Sequence, residues 1–471
     1  MFQLINNILQ EFRYCFKRIE TWQWFIVIVI GMMLRKNHRG ITQIISELRL
    51  KPEIYPSMLH YFRSKAYDPS DLNEKWIEIA SRRSTLVKVA KRTVLVGDHI
   101  KIPKEGRRMP GIQVIHQESQ NSGKGNYIEG HIHAHVSALI TGEGTIRSLP
   151  LMTQQQQSPP RKEGTNKPDG ETLVSQMVNL VAKTAKALDD NNKSVVALDA
   201  YFAKASSFHA ADKALTEDGQ RQLEIVTRGR DDTVGYTLPG PRPKGKRGAP
   251  RKYGERVVLW NLFSGINRFT EATLDLYGKP TKTRYLCLDL IWRPLERMIR
   301  FVVVDSDRGR MILMCSDLTL SPEDIITIFA LRFKIETSFN EQKNDNGCFA
   351  YRFWTKTLPK RKRWAKNIQP FQEPTPLLVN EAKRAIESYL CLGVIATGIL
   401  TIIAFSHNRY IWRRYSGWIK TRRSVIPTIA ITKDVFAQDF HAFLAFYPHL
   451  TICSVINDRL RYVDFLFDDV V

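Results

Sequence analysis

The sequence predicts a mixed α/β protein with helical segments at both ends. Between residues 93 and 228, the patterns follow the order strand, strand, strand, helix, strand, helix, strand. Residues 256–316 contain further β-type runs, whereas residues 1–90 and much of the region after residue 356 are helical in pattern. This order indicates a sheet covered by helices and excludes an all-α fold.

The helical N-terminal region contains a possible DNA-reading motif. The apolar pattern from Ile41 to Arg63 is interrupted near Pro52 and again near Pro56. These interruptions predict two short helices joined by a turn, loosely like a helix-turn-helix. Helix pairs of this kind are also common in protein cores, so the motif leaves both interpretations open.

The central region begins with three predicted strands and a polar loop. A helix and two more strands follow. The strands and the helix are predicted at residues 93–102, 112–116, 131–140, 171–188, 194–202 and 223–228. Residues 154–170 are rich in Gln, Pro, Gly and charged side chains, which predicts a surface loop.

The next region combines a basic loop, a β-rich stretch and a well-marked helix. Residues 239–254 are rich in Pro, Gly and cations and predict an extended basic loop. After the β-type runs, Ser321 and Pro322 are suited to the N-cap and first position of a helix, and Asp324 completes a capping-box-like pattern. We expect this helix to continue to about Lys343.

The charge balance predicts a polyanionic partner. The 471 residues include 70 Lys and Arg against 47 Asp and Glu, for a formal net charge of +23. Nucleic acid is the first expectation and an anionic membrane surface the second. The six cysteines form no CxxC pair, which argues against a zinc ribbon and is typical of reduced thiols in the cytoplasm.

Two apolar runs require a test against membrane insertion. The run from Phe25 to Leu34 has only ten residues and no early basic region, so it is a poor signal peptide. The run from Tyr389 to Phe405 has 17 residues, the lower limit for a spanning helix, and contains two glycines. We therefore expect a buried core helix, no membrane partner and a cytoplasmic location.

Three acids are candidates for chemistry. Asp98 and Asp199 lie near the ends of two predicted strands, and Glu336 lies within the helix that begins at Ser321. Carboxylates that converge repel one another unless a cation joins them, and their hard oxygens suit Mg²⁺ or Mn²⁺. Two such ions can hold the attacking and leaving oxygens of a phosphodiester.

Cations accompany the third acid on its helix. At 100° per residue, Phe329, Arg332, Glu336 and Lys343 fall within an arc of about 60° on one face. An acid that holds a metal beside cations that hold phosphate is an arrangement suited to cutting DNA. A solvated Arg332–Glu336 ion pair is the alternative.

The spacing of Phe329, Arg332, Glu336 and Lys343 resembles the YREK signature of bacterial cut-and-paste insertion-sequence transposases. The segments VLVGDHIKIPKEGRRMPG, ALDAYF and CSDLTLSPEDIITIFALRFKIETSF, which surround the three acids in order, match this family too. The segment TRGRDDTVGY and the PRPKGKRGAPRKYG that follows it also match, and the resemblance covers roughly residues 30–345. The signature's tyrosine position holds Phe329, which cannot hydrogen-bond a phosphate and leaves any hairpin intermediate open.

The resemblance implies an RNase H-like catalytic core with a β-rich insertion. It divides the chain into a helical N-terminal DNA-binding domain (1–90), the first part of the core (91–229), the insertion (230–318), the core helix with the third acid (319–355) and a basic, helical C-terminal region (356–471). It also implies metal-dependent DNA cleavage and strand transfer, and a homodimer that holds transposon-end DNA and target DNA.

The resemblance assigns roles to individual residues. Asp98, Asp199 and Glu336 are the expected catalytic residues and ligands of two Mg²⁺ or Mn²⁺ ions, and Arg332 and Lys343 the expected contacts to phosphate. With the basic loop and the insertion, the expected DNA-binding residues are Phe329, Arg332, Lys343, Lys244, Lys246, Arg247, Arg251, Lys252 and Trp292. Trp292 is also consistent with a core tryptophan.

Alternatives remain open at this point. His131, His133 and His135 alternate and would share one face of a strand, as zinc ligands or as structural side chains. An RNase H-like nuclease without strand transfer, an inactive basic DNA-binding protein and a basic membrane-surface protein fit the composition as well.

Overall fold

The computed structural model describes residues 1–36, 40–116, 126–160, 162, 164–165, 168–188, 192–241, 248–360, 376–418 and 424–461. Three of the predicted DNA-binding residues, Lys244, Lys246 and Arg247, lie outside this part of the chain. So do most of the basic tract that begins at Lys356 and the end of the tract from Arg409 to Arg423.

The helices lie mainly at the two ends of the chain. They are α1 (Phe2–Glu11), α2 (Ile19–Leu34), α3 (Ile41–Glu47), α4 (Tyr55–Arg63), α5 (Pro69–Arg83), α6 (Leu173–Leu188), α7 (Ala205–Ala211), α8 (Pro322–Leu331), α9 (Lys334–Asn340), α10 (Pro376–Ser406), α11 (Asn408–Arg414), α12 (Ile429–Phe446) and α13 (Thr451–Asn457). The two short helices predicted before residue 63 correspond to α3 and α4. A π-helical turn, Glu341–Asp345, continues directly from α9.

The strands form one mixed sheet. They are β1 (Lys88–Val89), β2 (Arg92–Pro103), β3 (Gln113–His116), β4 (Tyr127–Gly142), β5 (Thr145–Gln156), β6 (Ser194–Leu198), β7 (Leu223–Arg228), β8 (Val234–Tyr236), β9 (Arg256–Val258), β10 (Thr270–Leu276), β11 (Lys279–Trp292), β12 (Arg297–Ser306) and β13 (Gly309–Cys315).

The centre of the sheet has the order β5-β4-β2-β6-β7. Strand β2 pairs antiparallel with β4, which pairs antiparallel with β5, whereas β2 pairs parallel with β6 and β6 pairs parallel with β7. Helix α6 connects the antiparallel part to the parallel part. When these five strands are numbered by their order along the chain, the sheet order is 3-2-1-4-5. This order confirms the predicted α/β fold with an RNase H-like core.

Strand β5 corrects the prediction of a loop from residue 154. Gln154, Gln155 and Gln156 continue the ladder with β4, and the turn before β5 contains Glu143 and Gly144 at positive φ. The pairing register shifts between Val136 and Ser137. The sequence does not indicate the full length of this strand. Its three glutamines and the internal Pro150 are not typical of strands, and they interrupt the alternation of apolar and polar residues.

The predicted β-rich insertion is present, but its strands extend the central sheet. Strand β13 pairs antiparallel with β7, so β12, β11 and β10 follow outward from the core. Part of the β-type run at 256–263 forms a 3₁₀ segment, Leu259–Arg268, instead. Leu259 and Phe263 are buried whereas Asn261 between them is exposed, and a strand would place all three on one face, so this burial fits a helical rather than an alternating pattern.

Helix α10 is the apolar helix predicted to be buried. Its residues Leu377–Ser406 are long and apolar enough to cross a membrane, but 94% of the most apolar window is buried inside the protein. It packs against α2, α4, α5 and β5. A Cβ added to Gly398 would lie 2.0 Å from the ring of Trp76, so glycine is required where α10 crosses α5. This burial is consistent with a soluble protein.

Candidate active site on two neighbouring parallel strands

Two of the predicted acids lie at neighbouring positions of the sheet. In the parallel pair of β2 and β6, Val96 aligns with Ala197, and Asp98 and Asp199 each follow two residues later. Val96 and Ala197 belong to the apolar cluster that packs under α8 and α9. Because alternate residues of a strand share a face, both carboxylates face the same pair of helices.

The third acid is carried by the second of these helices. Helix α8 begins as predicted, since the Ser321 hydroxyl accepts a hydrogen bond from the Asp324 N–H at 3.0 Å. The expected single helix to Lys343 is divided into α8, α9 and the π-turn, because its regular hydrogen bonding is interrupted at Arg332 and Phe333, although both residues keep helical backbone angles. Backbone bonds that span three residues, including Glu336 N–H to the Phe333 carbonyl at 3.2 Å, tighten the chain there.

Arg332, at this interruption, lies beside the first acid. A guanidinium nitrogen of Arg332 lies 3.6 Å from a carboxylate oxygen of Asp98, and both side chains are mostly buried. Glu336, one turn later, is exposed. The sequence had offered an Arg332–Glu336 pair as the alternative, but Arg332 pairs instead with the strand that carries Asp98.

The pKa of Asp98 reflects its burial and the charged groups around it. Burial is the largest cause that raises this pKa, to about 7, and the negative charge of Asp199 is the next. The charge of Glu336 raises it further, whereas the backbone N–H of His99 and the charge of Arg332 lower it. Negative charge is therefore crowded around Asp98, and a cation there would relieve it.

The donor set fits a hard divalent cation by its chemistry. Asp98, Asp199 and Glu336 supply only carboxylate oxygens, which Mg²⁺ and Mn²⁺ prefer. Among the described residues, no three His, Cys, Asp or Glu side chains are close enough together to hold an ion as they stand. The carboxylates would have to move closer together to share a cation.

The predicted DNA contacts lie in different environments. Lys343 is exposed on the π-turn, whereas Phe329 is partly buried against the apolar cluster under α8. Trp292 is only 9% exposed and meets the Phe208 ring edge-on with centroids 5.5 Å apart. This burial favours the core interpretation of Trp292, because an enclosed ring cannot stack on a base.

Two cations of the basic loop lie within the described part of the chain and face solvent. Arg251 and Lys252 are both exposed, and the Lys252 amine lies 3.9 Å from a carboxylate oxygen of Glu296. An exposed pair at this distance contributes little to stability. Both side chains therefore remain suitable for contacts to phosphate.

The sequence reasoning missed an exposed aromatic group beside Glu336. Phe333, between α8 and α9, is 58% exposed, and its ring centroid lies 6.5 Å from that of Tyr277 in the β10–β11 turn. The guanidinium carbon of Arg308, in the β12–β13 turn, lies 3.6 Å from the centre of the Tyr277 ring. The three residues belong to separate elements, so no local motif could have indicated them.

The alternating histidines form a buried hydrogen-bond network. His131 and His133 both contact the Tyr351 hydroxyl, at 2.6 and 2.8 Å, and all three imidazoles are fully buried. His135 contacts the hydroxyls of Thr153 and Ser137, each at 2.7 Å. These partners favour the structural interpretation over a zinc site.

Comparison with known proteins adds to this geometry. A family model described as DDE superfamily endonuclease matches residues 11–267, more than half of the chain, and includes Asp98 and Asp199. No curated protein matches the sequence. The RNase H-like sheet, the acids on its two neighbouring parallel strands and this match together lead to one conclusion: the chain belongs to the DDE endonuclease superfamily.

Proposed function

We propose that this protein is a cut-and-paste DNA transposase of the insertion-sequence type. The observation that carries the proposal is that Asp98 and Asp199 follow a paired position of two neighbouring parallel strands, with the Arg332 guanidinium 3.6 Å from the Asp98 carboxylate. The superfamily typically uses divalent metals, and the net charge of +23 supports a DNA substrate. A cytoplasmic, nucleoid-associated location follows from that substrate.

Asp98, Asp199 and Glu336 would hold two Mg²⁺ or Mn²⁺ ions. When bound, such ions activate water and stabilise charge on the leaving oxygen of a phosphodiester. The chain's own residues do the rest of the positioning. Arg332 neutralises Asp98 in the structure, and its guanidinium is also within reach of a phosphate that approaches this carboxylate.

The remaining cations would guide the DNA backbone towards these acids. Lys343 is exposed next to the end of α9, and Arg251 and Lys252 are exposed in the basic loop. Lys244, Lys246 and Arg247 belong to the same proposal by sequence alone. Phe329 replaces the tyrosine of the YREK signature, so this position can pack but cannot bind phosphate through a hydroxyl.

The proposed chemistry is two phosphoryl transfers. Water attacks the phosphodiester at the transposon end, the bond from phosphorus to the 3′-oxygen breaks, and a 3′-OH and a 5′-phosphate result. The 3′-OH then attacks a target phosphodiester and loses its proton, while a target 3′-OH leaves. Two ends must be held together, so we propose a homodimer that binds transposon-end DNA and target DNA.

The direct test is a reaction of the protein with DNA that carries the element's own ends, a target plasmid and Mg²⁺. We expect cut ends and joined products in which the 3′-OH is linked to the plasmid. Cut ends without joined products would identify a nuclease without strand transfer. Tight, salt-sensitive binding without any cleavage would identify an inactive DNA-binding protein.

Arg332 provides a second expected result. Replacement by Ala should slow end cleavage by about 100-fold, since one preorganised donor to a reacting oxyanion contributes about this much. The cleavage rate of Arg332→Lys should lie between those of the wild type and Arg332→Ala, because an ammonium keeps the charge and loses the planar pair of donors. The measurement is single-turnover cleavage with Mg²⁺, and cleavage by Arg332→Ala at the wild-type rate would remove Arg332 from the site.

A further inference from the structure

His135 lies directly opposite the first acid in the sheet. In the antiparallel pair of β2 and β4, Asp98 aligns with His135. Directly opposed residues of such a pair share a face, so the imidazole lies on the side of the sheet that carries α9. The ring is fully buried.

The same imidazole contacts the helix that carries the third acid. Its Nε2 atom lies 3.2 Å from the Ser338 hydroxyl and 3.0 Å from the Gln342 amide nitrogen. The Gln342 amide also donates to the Ser338 hydroxyl at 3.1 Å, and both side chains are buried. Ser338 and Gln342, four residues apart, form the buried side of the helix, whereas Glu336 is exposed.

The other side of the ring is fixed to the sheet. The Nδ1 atom lies 2.7 Å from the Thr153 hydroxyl on β5, and the Phe339 ring packs on the imidazole with centroids 5.5 Å apart. Burial lowers the pKa of His135 to about 3, so the ring is neutral at physiological pH. The contacts therefore join sheet and helix without adding charge near the acids.

We propose that His135, together with Ser338 and Gln342, is a positioning device that sets the distance between the strand of Asp98 and the helix of Glu336. The inference rests on the proposed function, since it concerns the same carboxylates. These carboxylates do not form a preassembled ion site among the described residues, so the relative placement of strand and helix governs how readily they share a cation. The three residues act through that placement and contact no DNA.

The test measures metal binding rather than activity. Thermal unfolding is followed while Mn²⁺ is added, because an ion that binds only the folded state raises the melting temperature. The variant Ser338→Ala/Gln342→Met removes the two polar contacts from the helix to His135 at nearly constant volume and keeps the Phe339 ring in place. It should need about tenfold more Mn²⁺ for the half-maximal rise in melting temperature, the size expected for residues that orient metal ligands.

Thr184→Val is the matched control. Its hydroxyl is buried on α6, on the opposite face of the sheet, and donates to the Leu180 carbonyl at 2.8 Å. It should lower the melting temperature without changing the Mn²⁺ midpoint. The single variants Ser338→Ala and Gln342→Met provide the same readout with a smaller loss of stability.

A double variant with the wild-type Mn²⁺ midpoint would overturn the inference, provided that Glu336→Gln weakens the response to Mn²⁺. If Glu336→Gln responds to Mn²⁺ as wild type does, the metal site itself is wrongly assigned. The two failures are therefore distinguishable. A shift of the same size in Thr184→Val would also overturn the inference, because loss of general stability would then explain it.

Discussion

Replacing Glu336 with Gln is expected to reduce transposon-end cleavage by at least about 1,000-fold, which corresponds to about 4 kcal/mol in the activation free energy. The amide has the size of the carboxylate but no negative charge, so it is a much weaker ligand for a divalent cation. Since Glu336 is exposed, its replacement should change the free energy of unfolding by less than about 0.5 kcal/mol. An effect of this variant on cleavage can therefore be distinguished from an effect on folding.

The measurement is single-turnover cleavage of end DNA with Mg²⁺, alongside DNA binding by fluorescence anisotropy. Glu217→Gln is the matched control, because Glu217 is an exposed acid that precedes the N-terminal end of β7, opposite the end of the parallel strands that Asp199 follows. It should cleave at the wild-type rate. If Glu336→Gln bound DNA normally and cleaved within about threefold of wild type, Glu336 would not belong to the active site.

The shared face of the first two acids follows from local pattern. A strand has a period of two residues, so Asp98 and Asp199 lie on the same face as Val96 and Ala197. The N-cap at Ser321 is also decided within four residues. The sequence placed Asp98 near the end of its strand, whereas β2 continues to Pro103, because the pairing with β4 extends the strand beyond the apolar run.

The contacts that hold the helix of the third acid against the sheet are non-local. A constant 100° per residue placed Arg332 and Glu336 on one face, but it could not show that Arg332 pairs with Asp98 rather than with Glu336. Such contacts depend on partners that are far away in the chain. His135 contacts Ser338 and Gln342 across about 200 residues, and no periodic pattern encodes such a contact.

The insertion illustrates the same limit. Its strands were predicted from β-type composition, but composition does not decide whether a strand begins a new sheet or joins an old one. The pairing of Cys315 on β13 with Val226 on β7 joins the strands of the insertion to the central sheet. Trp292 is enclosed for a related reason, since its neighbour Phe208 comes from a helix more than 80 residues earlier.

Replacing Arg35 with Met is expected to lower the free energy of unfolding by about 3–5 kcal/mol, because each of the buried acceptors that loses its donor costs about 1–3 kcal/mol. Arg35 is fully buried at the end of α2. Its guanidinium donates to the Tyr389 hydroxyl and to the carbonyls of Asn346 and Gly347, at 2.8 and 2.7 Å for the two carbonyls. Methionine leaves these acceptors unpaired.

Urea unfolding measures this loss as a lower midpoint at an unchanged slope. Arg82→Met is the control, because Arg82 is half exposed and pairs with Glu11 and Glu78 on the surface. It should cost less than about 1 kcal/mol. A loss below 1 kcal/mol in Arg35→Met would mean that water replaces the guanidinium, and that Arg35 does not brace this turn.

The place of Arg35 gives the result a functional meaning. The carbonyls that it binds follow the π-turn of Lys343, and Lys433 from α12 donates to the Asp345 carbonyl of the same turn at 2.6 Å. Two buried cations, one from each helical end of the chain, thus hold the C-terminal end of the element that carries Glu336. We therefore expect Arg35→Met to slow end cleavage even at temperatures where the variant is folded, whereas Arg82→Met should not.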